Sequence, residues 1–171
     1  TQYCEEIIQY CRNAELFASI YRDDKIFIEE DSSNIEIHKD MDKAKPRVVR
    51  DLNAALDDSV IKILFSGRNK HSLESHTHKL YERYQHELTF YFSLPYFVEI
   101  VHKEANKRNA LELLTDKFNI KREEIIAIGD NYNDMDMILY AGLGVAMGNS
   151  PEYLKEAADF VTYSNDEDGV K

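Results

Sequence analysis

The segment 123-EEIIAIGDNYNDMDM-137 decides the fold class of this chain. Its first half is an apolar run that stops at Gly129-Asp130, a pattern typical of a buried β-strand that ends in a turn. The residues that follow add two asparagines and two further aspartates, at positions 131 to 136. Ordinary turn chemistry needs one or two such residues, so this strand exit indicates a binding site.

The chain on both sides of this strand alternates between helical and strand patterns. Such alternation predicts a parallel sheet with crossover helices, which is the α/β class. The predicted elements of this part are a helix at 107–118, a strand at 124–128, a helix at 133–140, a strand at 143–147, a helix at 151–158 and a strand at 159–163.

The first part of the chain has a different rhythm, in which hairpins mix with helices. This pattern predicts an α+β unit. We place the boundary near residues 95–104, and assign 1–95 to the α+β unit and 96–171 to part of a doubly wound α/β unit. The predicted elements of the first part are a helix at 5–14, a hairpin of 15–22 and 25–30, a short helix at 47–56, a strand at 60–66, a helix at 69–86, and strands at 88–93 and 96–101.

The bulk composition restricts the classes of partner. The formal net charge is −11, so we expect neither nucleic-acid binding by phosphate neutralisation nor attachment to an anionic membrane surface. No apolar run approaches the length of a membrane span. Cys4 and Cys11 fall in a helical pattern about 10 Å apart, too far for a disulfide. Reduced thiols and a cytoplasmic location are therefore expected.

The strand exit has the donor groups of a magnesium site. In open α/β sheets, ligands bind outside the carboxyl ends of the strands, which is where Asp130 falls. Mg²⁺ takes one or two protein carboxylates and completes its shell with water and phosphate oxygen. Asn133 can donate to a substrate, and Asp134 can support the metal site. A helix N-cap would explain one or two of these residues. A calcium loop fails, because Tyr132 and Met135 occupy its ligand and glycine positions.

Lys107 begins the predicted helix that precedes this strand. From that position a lysine can reach a phosphate at the carboxyl edge of the sheet as a point charge. A lysine at a helix start is by itself typical of a solvated surface. The spacing to Asp130, across one helix and one strand, favours a shared site.

These motifs together resemble the haloacid dehalogenase superfamily, and more narrowly its Cof-type sugar-phosphate phosphatases. Lys107 matches the family's third motif, a lysine at a helix start. Gly129, Asp130, Asn133 and Asp134 match its fourth motif, G-D-x-x-N-D. The trailing segments GLGVAMGNSPEYLKEAADFVT and NDEDGV are also similar to the family's pattern. The resemblance is strong over 96–171 and weaker over 1–95.

The resemblance implies a fold and a chemistry. The fold would be a partial Rossmann-like core with an α+β cap that determines substrate specificity. Asp130 would bind Mg²⁺ with support from Asp134, Lys107 would bind the phosphoryl group, and Asn133 would contact substrate. Lys107, Asp130 and Asp134 would thus be the catalytic residues. The reaction would hydrolyse a small phosphorylated metabolite through an aspartyl-phosphate intermediate.

The nucleophile motif of the family, D-x-D-G-T, has no match in this sequence. Asp40-Met41-Asp42 lacks the preceding strand and the following Gly-Thr, and a charged loop is the favoured interpretation. Ser66 imitates the second motif, although a strand-to-turn junction is favoured. A compact enzyme that uses Asp40, Ser66, Lys107 and Asp130 is an alternative. Otherwise this chain is the cap and the C-terminal part of the core, inactive alone.

Two other functions remain open on the same motifs. One is a phosphomutase or phosphotransferase, which the fold does not exclude. The other is a non-catalytic binding module that keeps only the magnesium and phosphate half-site. A zinc site on the predicted helix 69–86 is less favoured than a solvated face, because His76 and His78 lie two residues apart and do not face one another.

Overall fold

The computed structural model describes residues 2–29, 45–67, 69–94 and 96–171, and the chain folds as two compact units, Thr1–Lys103 and Glu104–Lys171. The division falls inside the predicted boundary region. It corrects one assignment, because residues 96–103 belong to the first unit and not to the second. The strand in this stretch pairs with two strands of the first unit, and its sequence pattern alone does not indicate which sheet it joins.

In its described residues, the first unit is a six-stranded mixed sheet with two helices. Among the strands that the structure describes, the order is β3-β2-β1-β4-β6-β5, in which only β2 and β3 are parallel neighbours. This arrangement agrees with the predicted α+β class. The elements are α1 (Gln2–Asn13), β1 (Phe17–Arg22), β2 (Lys25–Glu29), β3 (Arg47–Val49), β4 (Val60–Ser66), α2 (Lys70–Tyr84), β5 (Leu88–Leu94) and β6 (Phe97–His102).

The core of the first unit joins the two helices to alternate residues of the central strands. Side chains at every second strand position share one face of the sheet, so one face supplies a continuous apolar layer. Burial of this layer is the main favourable contribution to the unit's stability. The largest cluster comprises Ile7 and Cys11 of α1, Leu73, Leu80 and Tyr84 of α2, and Ile63, Phe65, Leu88, Val98 and Ile100, with Leu16 between helix and sheet.

The predicted hairpin of β1 and β2 is confirmed, and its turn has unusual backbone geometry. Asp23 and Asp24 both have positive φ, at 49° and 57°. A two-residue turn with both residues in this region matches the twist of the flanking strands. Aspartate tolerates the left-handed region better than most residues, since its short side chain can bond locally.

The predicted short helix at 47–56 is wrong. The segment forms β3, which pairs in parallel with β2, and then a single 3₁₀ turn at Leu52–Ala55. Asp51 caps this turn by accepting from the N–H of Asn53 at 2.9 Å, and it also accepts from Arg12 of α1 at 2.5 Å. The spacing of the apolar side chains fits an amphipathic helix, but pairing with a distant strand determines the backbone conformation.

The second unit is a three-stranded parallel sheet with helices between the strands, as predicted. The strand order is β7-β8-β9, and the register places Gly129 beside Ala146. The carboxyl ends of β7 and β8 therefore lie at the same edge of the sheet. The elements are α3 (Lys107–Phe118), β7 (Ile126–Gly129), α4 (Met135–Tyr140), β8 (Leu143–Ala146), α5 (Glu152–Ala157) and β9 (Phe160–Val161).

Candidate active site

The loop after β7 is the centre of the candidate site, and its start is fixed by the neighbouring strand. The carbonyl of Gly129 accepts from the N–H of Met147 at 2.9 Å and from the buried hydroxyl of Ser150 at 3.3 Å. These bonds extend the β7–β8 pairing beyond the strands themselves. Asp130, the next residue, is exposed at the edge of the sheet. The expected position of this carboxylate, outside the carboxyl end of a strand, is therefore confirmed.

Asp134 is the buried carboxylate on which this loop folds. It is only 3% exposed. Its Oδ2 accepts from the backbone N–H of Asp130 at 3.0 Å and of Asn131 at 3.1 Å. A carboxylate that accepts several N–H bonds in a buried place is held in one orientation. Asp134 thereby closes the turn between β7 and α4.

Gly129 permits this close approach. A β-carbon added at Gly129 would lie 2.4 Å from the β-carbon of Asp134 and 2.7 Å from its γ-carbon. Both distances are far below van der Waals contact, and the neighbouring backbone is held by the β-sheet. The glycine of the G-D-x-x-N-D motif is therefore required for space, since the side chain of Asp134 occupies the position that a β-carbon would need.

Lys107 reaches the same carboxylate from α3. Asn106 caps this helix by accepting from the N–H of Asn109 at 2.8 Å, so the helix begins at the lysine. The ammonium group of Lys107 donates to Oδ1 of Asp134. The Lys107 side chain is half exposed, while that of Asp134 is buried. Asp134 thus connects Lys107 with the backbone of Asp130, and the predicted convergence of the two motifs is present.

The remaining predicted residue, Asn133, lies in the 3₁₀ turn Tyr132–Asp134 with an exposed side chain. Asn133 and Asp130 are therefore both open to a ligand. Asp134 differs from them, because each of its oxygens already accepts a bond from the protein. Its contacts favour a supporting role over direct coordination of a metal.

Asn149 is a contact residue that the sequence reasoning missed. Its Nδ2 donates to Oδ2 of Asp130 at 3.3 Å, and its Oδ1 accepts from the N–H of Asn165 at 3.0 Å. Asn149 follows β8, the parallel neighbour of β7. Its position just past the next strand, in the segment MGNSP, is the signal that could have identified it.

An aromatic pair lies beside the loop. The rings of Tyr132 and Tyr153 stack with centroids 4.6 Å apart and an angle of 19° between their planes. Burial raises the pKa of the Tyr153 hydroxyl, and the neighbouring Tyr132 and Asp134 add to this effect. The hydroxyl oxygen is buried and has no hydrogen-bond partner among the described residues. The stack fixes one side of the turn that carries Asn133.

The donor set around Asp130 fits a cation that retains most of its water. Within the described ranges, no cluster of three or more His, Cys, Asp or Glu side chains could enclose a metal. Mg²⁺ does not need such an enclosure, because one or two carboxylates suffice when water and phosphate oxygen complete the octahedron. An exposed carboxylate at a strand end meets that requirement, whereas a fully enclosed site for zinc is not supported here.

The two segments that imitate the family's first and second motifs, and the histidines of helix α2, are not part of this site. Asp40 and Asp42 fall outside the described residues. Ser66 ends β4 within the first unit's sheet, where both neighbouring strands are antiparallel, as expected for a strand-to-turn junction. His76 is not part of a fully solvated face, because its Nδ1 lies 2.7 Å from the hydroxyl of Tyr10, and burial lowers its pKa.

Comparison with known proteins identifies the family. A family model described as haloacid dehalogenase-like hydrolase matches residues 1–171. This chain belongs to that family. The crystal structure of a haloacid dehalogenase-like hydrolase from Bacteroides thetaiotaomicron has a TM-score of 0.87 and 34% identity, and the match covers 99% of this chain and 64% of that chain.

Two curated relatives match shorter segments. Phosphatase YwpJ of Bacillus subtilis is 45% identical over 92 residues, which are 53% of this chain and 32% of the relative. The 5-amino-6-(5-phospho-D-ribitylamino)uracil phosphatase YcsE of Bacillus subtilis is 45% identical over 84 residues, 49% of this chain and 34% of the relative. The matched segments thus span about a third of these two relatives.

None of the helices in the described part of the chain is both long and apolar enough to cross a lipid bilayer.

Proposed function

We propose that the complete protein hydrolyses small phosphomonoesters with Mg²⁺ as cofactor and through an aspartyl-phosphate intermediate. The observation that carries this proposal is the arrangement around Asp134. A buried carboxylate there holds the Lys107 ammonium group next to the loop that exposes Asp130. A fixed cation beside an exposed carboxylate at the carboxyl edge of a parallel sheet suits a metal-bound phosphoryl group.

The charges of the site support the need for a metal. Lys107 and Asp134 form an ion pair, so their charges largely offset one another. Asp130 then leaves one negative charge at the exposed edge, in a chain whose formal net charge is −11. A phosphomonoester dianion would be repelled from such a site. A divalent cation held by Asp130 would reverse the sign of the charge and polarise the phosphoryl oxygens.

The remaining residues can bind and orient the substrate. An ammonium group has three N–H donors, and Asp134 takes one of those of Lys107. The other two can donate to phosphoryl oxygens from the half-exposed side of the lysine. The amide of Asn133 can donate to the phosphoryl group or to its leaving group. Fixed donors of this kind stabilise the charge that develops in phosphoryl transfer.

The nucleophile of the proposed reaction is an aspartate that the sequence does not supply in a D-x-D-G-T motif. The activity therefore belongs to a complete protein that provides this residue. Its carboxylate oxygen would form a bond to phosphorus while the bond to the ester oxygen breaks, and the departing alkoxide would take a proton from water. Water would then cleave the acyl phosphate and release inorganic phosphate.

The named relatives support the class of reaction. YwpJ is a phosphatase, and YcsE is named for a phosphate ester of a ribitylamino-uracil. We extend only the reaction class, a small phosphorylated metabolite as substrate, to this protein. By the same reasoning we propose that residues 1–103 act as the cap that selects the substrate, that residues 104–171 belong to the catalytic core, and that the protein is cytoplasmic.

The test uses the complete protein with p-nitrophenyl phosphate. Release of p-nitrophenolate and inorganic phosphate should require Mg²⁺ and stop in EDTA. Lys107→Ala should lower kcat/KM by about 100-fold or more, because the phosphoryl group loses its fixed cation. Arg108→Ala is the matched control, since Arg108 is the next residue of α3 and, in the described structure, contacts Glu112 of the same helix and the ring of Tyr140 rather than Asp134.

Two outcomes would overturn the proposal. Phosphate that returns to an added acceptor rather than to water would assign the protein to the phosphotransferases. Absence of turnover together with retained Mg²⁺ binding would assign it to the non-catalytic binding modules.

A further inference from the structure

We propose that Asn149 is a positioning residue that fixes the carboxylate of Asp130 for magnesium binding. The inference rests on the function proposed above. Asn149 lies in the loop after β8 and donates from Nδ2 to Oδ2 of Asp130 at 3.3 Å. Asn149 lies outside the two motifs that contain Lys107, Asn133 and Asp134.

The orientation of the Asn149 amide is determined by its second partner. The backbone N–H of Asn165 can only donate, and it lies 3.0 Å from Oδ1 of Asn149. The amide oxygen must therefore face Asn165, so the NH₂ group must face Asp130. Nδ2 is consequently a committed donor to the carboxylate, and the usual ambiguity between the two ends of an asparagine amide does not arise.

The loop of Asn149 is held in place by other bonds. The N–H of Met147 donates to the carbonyl of Gly129 at 2.9 Å, and the N–H of Gly148 donates to the carbonyl of Tyr163 at 3.0 Å. A β-carbon at Gly148 would lie only 2.7 Å from the nitrogen of Ser164, so the two chain segments are packed closely. The exposed bond from Asn149 to Asp130 is thus not needed to hold the loop.

The bond has a consequence for a metal at Asp130. An exposed carboxylate rotates freely, and it loses this rotational freedom when it binds a cation. A donor that occupies one oxygen restricts the rotation and leaves the other oxygen for the cation. Hydrogen-bond partners of metal ligands typically change metal affinity by about 10–100-fold when they are removed.

The experiment compares Asn149→Ala and Asn149→Leu with Ser150→Ala in the complete protein. Ser150 is the matched control, because its hydroxyl bonds the carbonyl of Gly129 at the same loop junction without touching the Asp130 carboxylate. Titration calorimetry with Mg²⁺ alone, in the absence of substrate, measures the dissociation constant. Thermal unfolding is recorded for each variant, and phosphatase activity is measured against Mg²⁺ concentration.

Both Asn149 variants should bind Mg²⁺ about tenfold more weakly than wild type and recover kcat at saturating Mg²⁺. Ser150→Ala should keep its Mg²⁺ affinity within about twofold, even where its melting temperature falls. Wild-type Mg²⁺ affinity in both Asn149 variants overturns the inference and leaves the proposed function in place. A wild-type protein that binds no Mg²⁺ overturns the proposed function and this inference together.

Discussion

The backbone of Gly129 lies so close to Asp134 that a β-carbon on the glycine would be 2.4 Å from the β-carbon of the aspartate. This closeness brings the buried carboxylate within reach of the backbone N–H of Asp130 and of the Lys107 ammonium group. Two residues of the G-D-x-x-N-D motif therefore form one structural unit. The glycine provides the space, and the aspartate organises the site.

The substitution Gly129→Ala should displace Asp134. We expect a loss of about 1–3 kcal/mol in the free energy of unfolding, the usual cost of overpacking a filled site. The value of kcat/KM should fall by more than the loss of folded protein explains, because Lys107 and the Asp130 loop would be displaced together with Asp134. Urea denaturation and kcat/KM measure the two effects.

Gly67→Ala is the control for Gly129→Ala. The three atoms nearest to an added β-carbon at Gly67 all belong to side chains, and the nearest is Cδ2 of Leu16 at 3.3 Å. We expect it to change stability by less than Gly129→Ala does and to leave activity unchanged. Equal losses of activity in the two variants would show that the contact with Asp134 has no special role.

The substitution Asp134→Asn separates charge from shape. The amide oxygen can still accept from the two backbone N–H groups, but its NH₂ end cannot pair with Lys107. Since the lysine is half exposed, the stability loss should be modest, about 1 kcal/mol. The value of kcat/KM should fall by about 100-fold, because the lysine is no longer held in place.

Glu112→Gln is the control for Asp134→Asn, since it removes the exposed ion pair of Arg108 on the same helix. Its kcat/KM should stay within about twofold of wild type. Wild-type turnover in Asp134→Asn would contradict a positioning role for the buried carboxylate.

The substitution Asp130→Asn tests the proposed metal ligand directly. The side chain is exposed, so the free energy of unfolding should stay within about 0.5 kcal/mol of wild type. Mg²⁺ affinity, measured by calorimetry, should fall by at least tenfold, about 1.4 kcal/mol, since the site loses its charged donor. Asp136→Asn removes another exposed carboxylate six residues further along and should leave Mg²⁺ binding intact. Comparable losses in both variants would indicate a general charge effect.

The stability of the first unit should depend on pH through Glu6. The hydroxyl of Tyr84 donates to this carboxylate at 2.5 Å and lowers its pKa, with further contributions from Gln2 and Arg83. The pKa of an unperturbed glutamate is about 4.3, and the folded-state pKa of Glu6 lies below it. The stabilisation is therefore complete above about pH 5. It is lost as the pH falls through the folded-state pKa.

Urea denaturation of wild type and Glu6→Gln at pH 7, 5 and 3 measures this dependence. The variant should be less stable than wild type at pH 7, and the difference should shrink at pH 3. Glu5→Gln, which changes an exposed neighbour on α1, serves as the control. A difference that stays constant over this pH range would exclude linkage through Glu6.

The sequence predicted the second unit well, for a physical reason. Its strands and helices alternate in short, local stretches, and the polar residues at a strand exit have few structural explanations. Lys107 and Asp130 could therefore be placed at one edge before their contacts were known. The sequence predicts a supporting role for Asp134 but not its bonding partners, because an acid at a helix start can be a cap, a ligand or a support. Only its contacts distinguish these roles.

The failures in the first unit arise from long-range pairing. Residues 47–56 have side-chain spacing that fits an amphipathic helix, but Val48 and Val49 pair with β2 across a long stretch of sequence. Residues 97–102 were correctly predicted as a strand and assigned to the wrong unit. In both cases the outcome depends on which distant strand offers hydrogen bonds, and a local pattern does not contain that information.

The left-handed turn at Asp23 and Asp24 offers a route to a more heat-resistant protein. Glycine adopts positive φ without steric penalty, so Asp24→Gly would recover conformational energy of up to about 1 kcal/mol. Asp23 should be retained, because its carboxylate lies 3.4 Å from Nε of Arg22. Thermal tolerance could thus be raised at a hairpin tip of the first unit, with the proposed magnesium site of the second unit left unaltered.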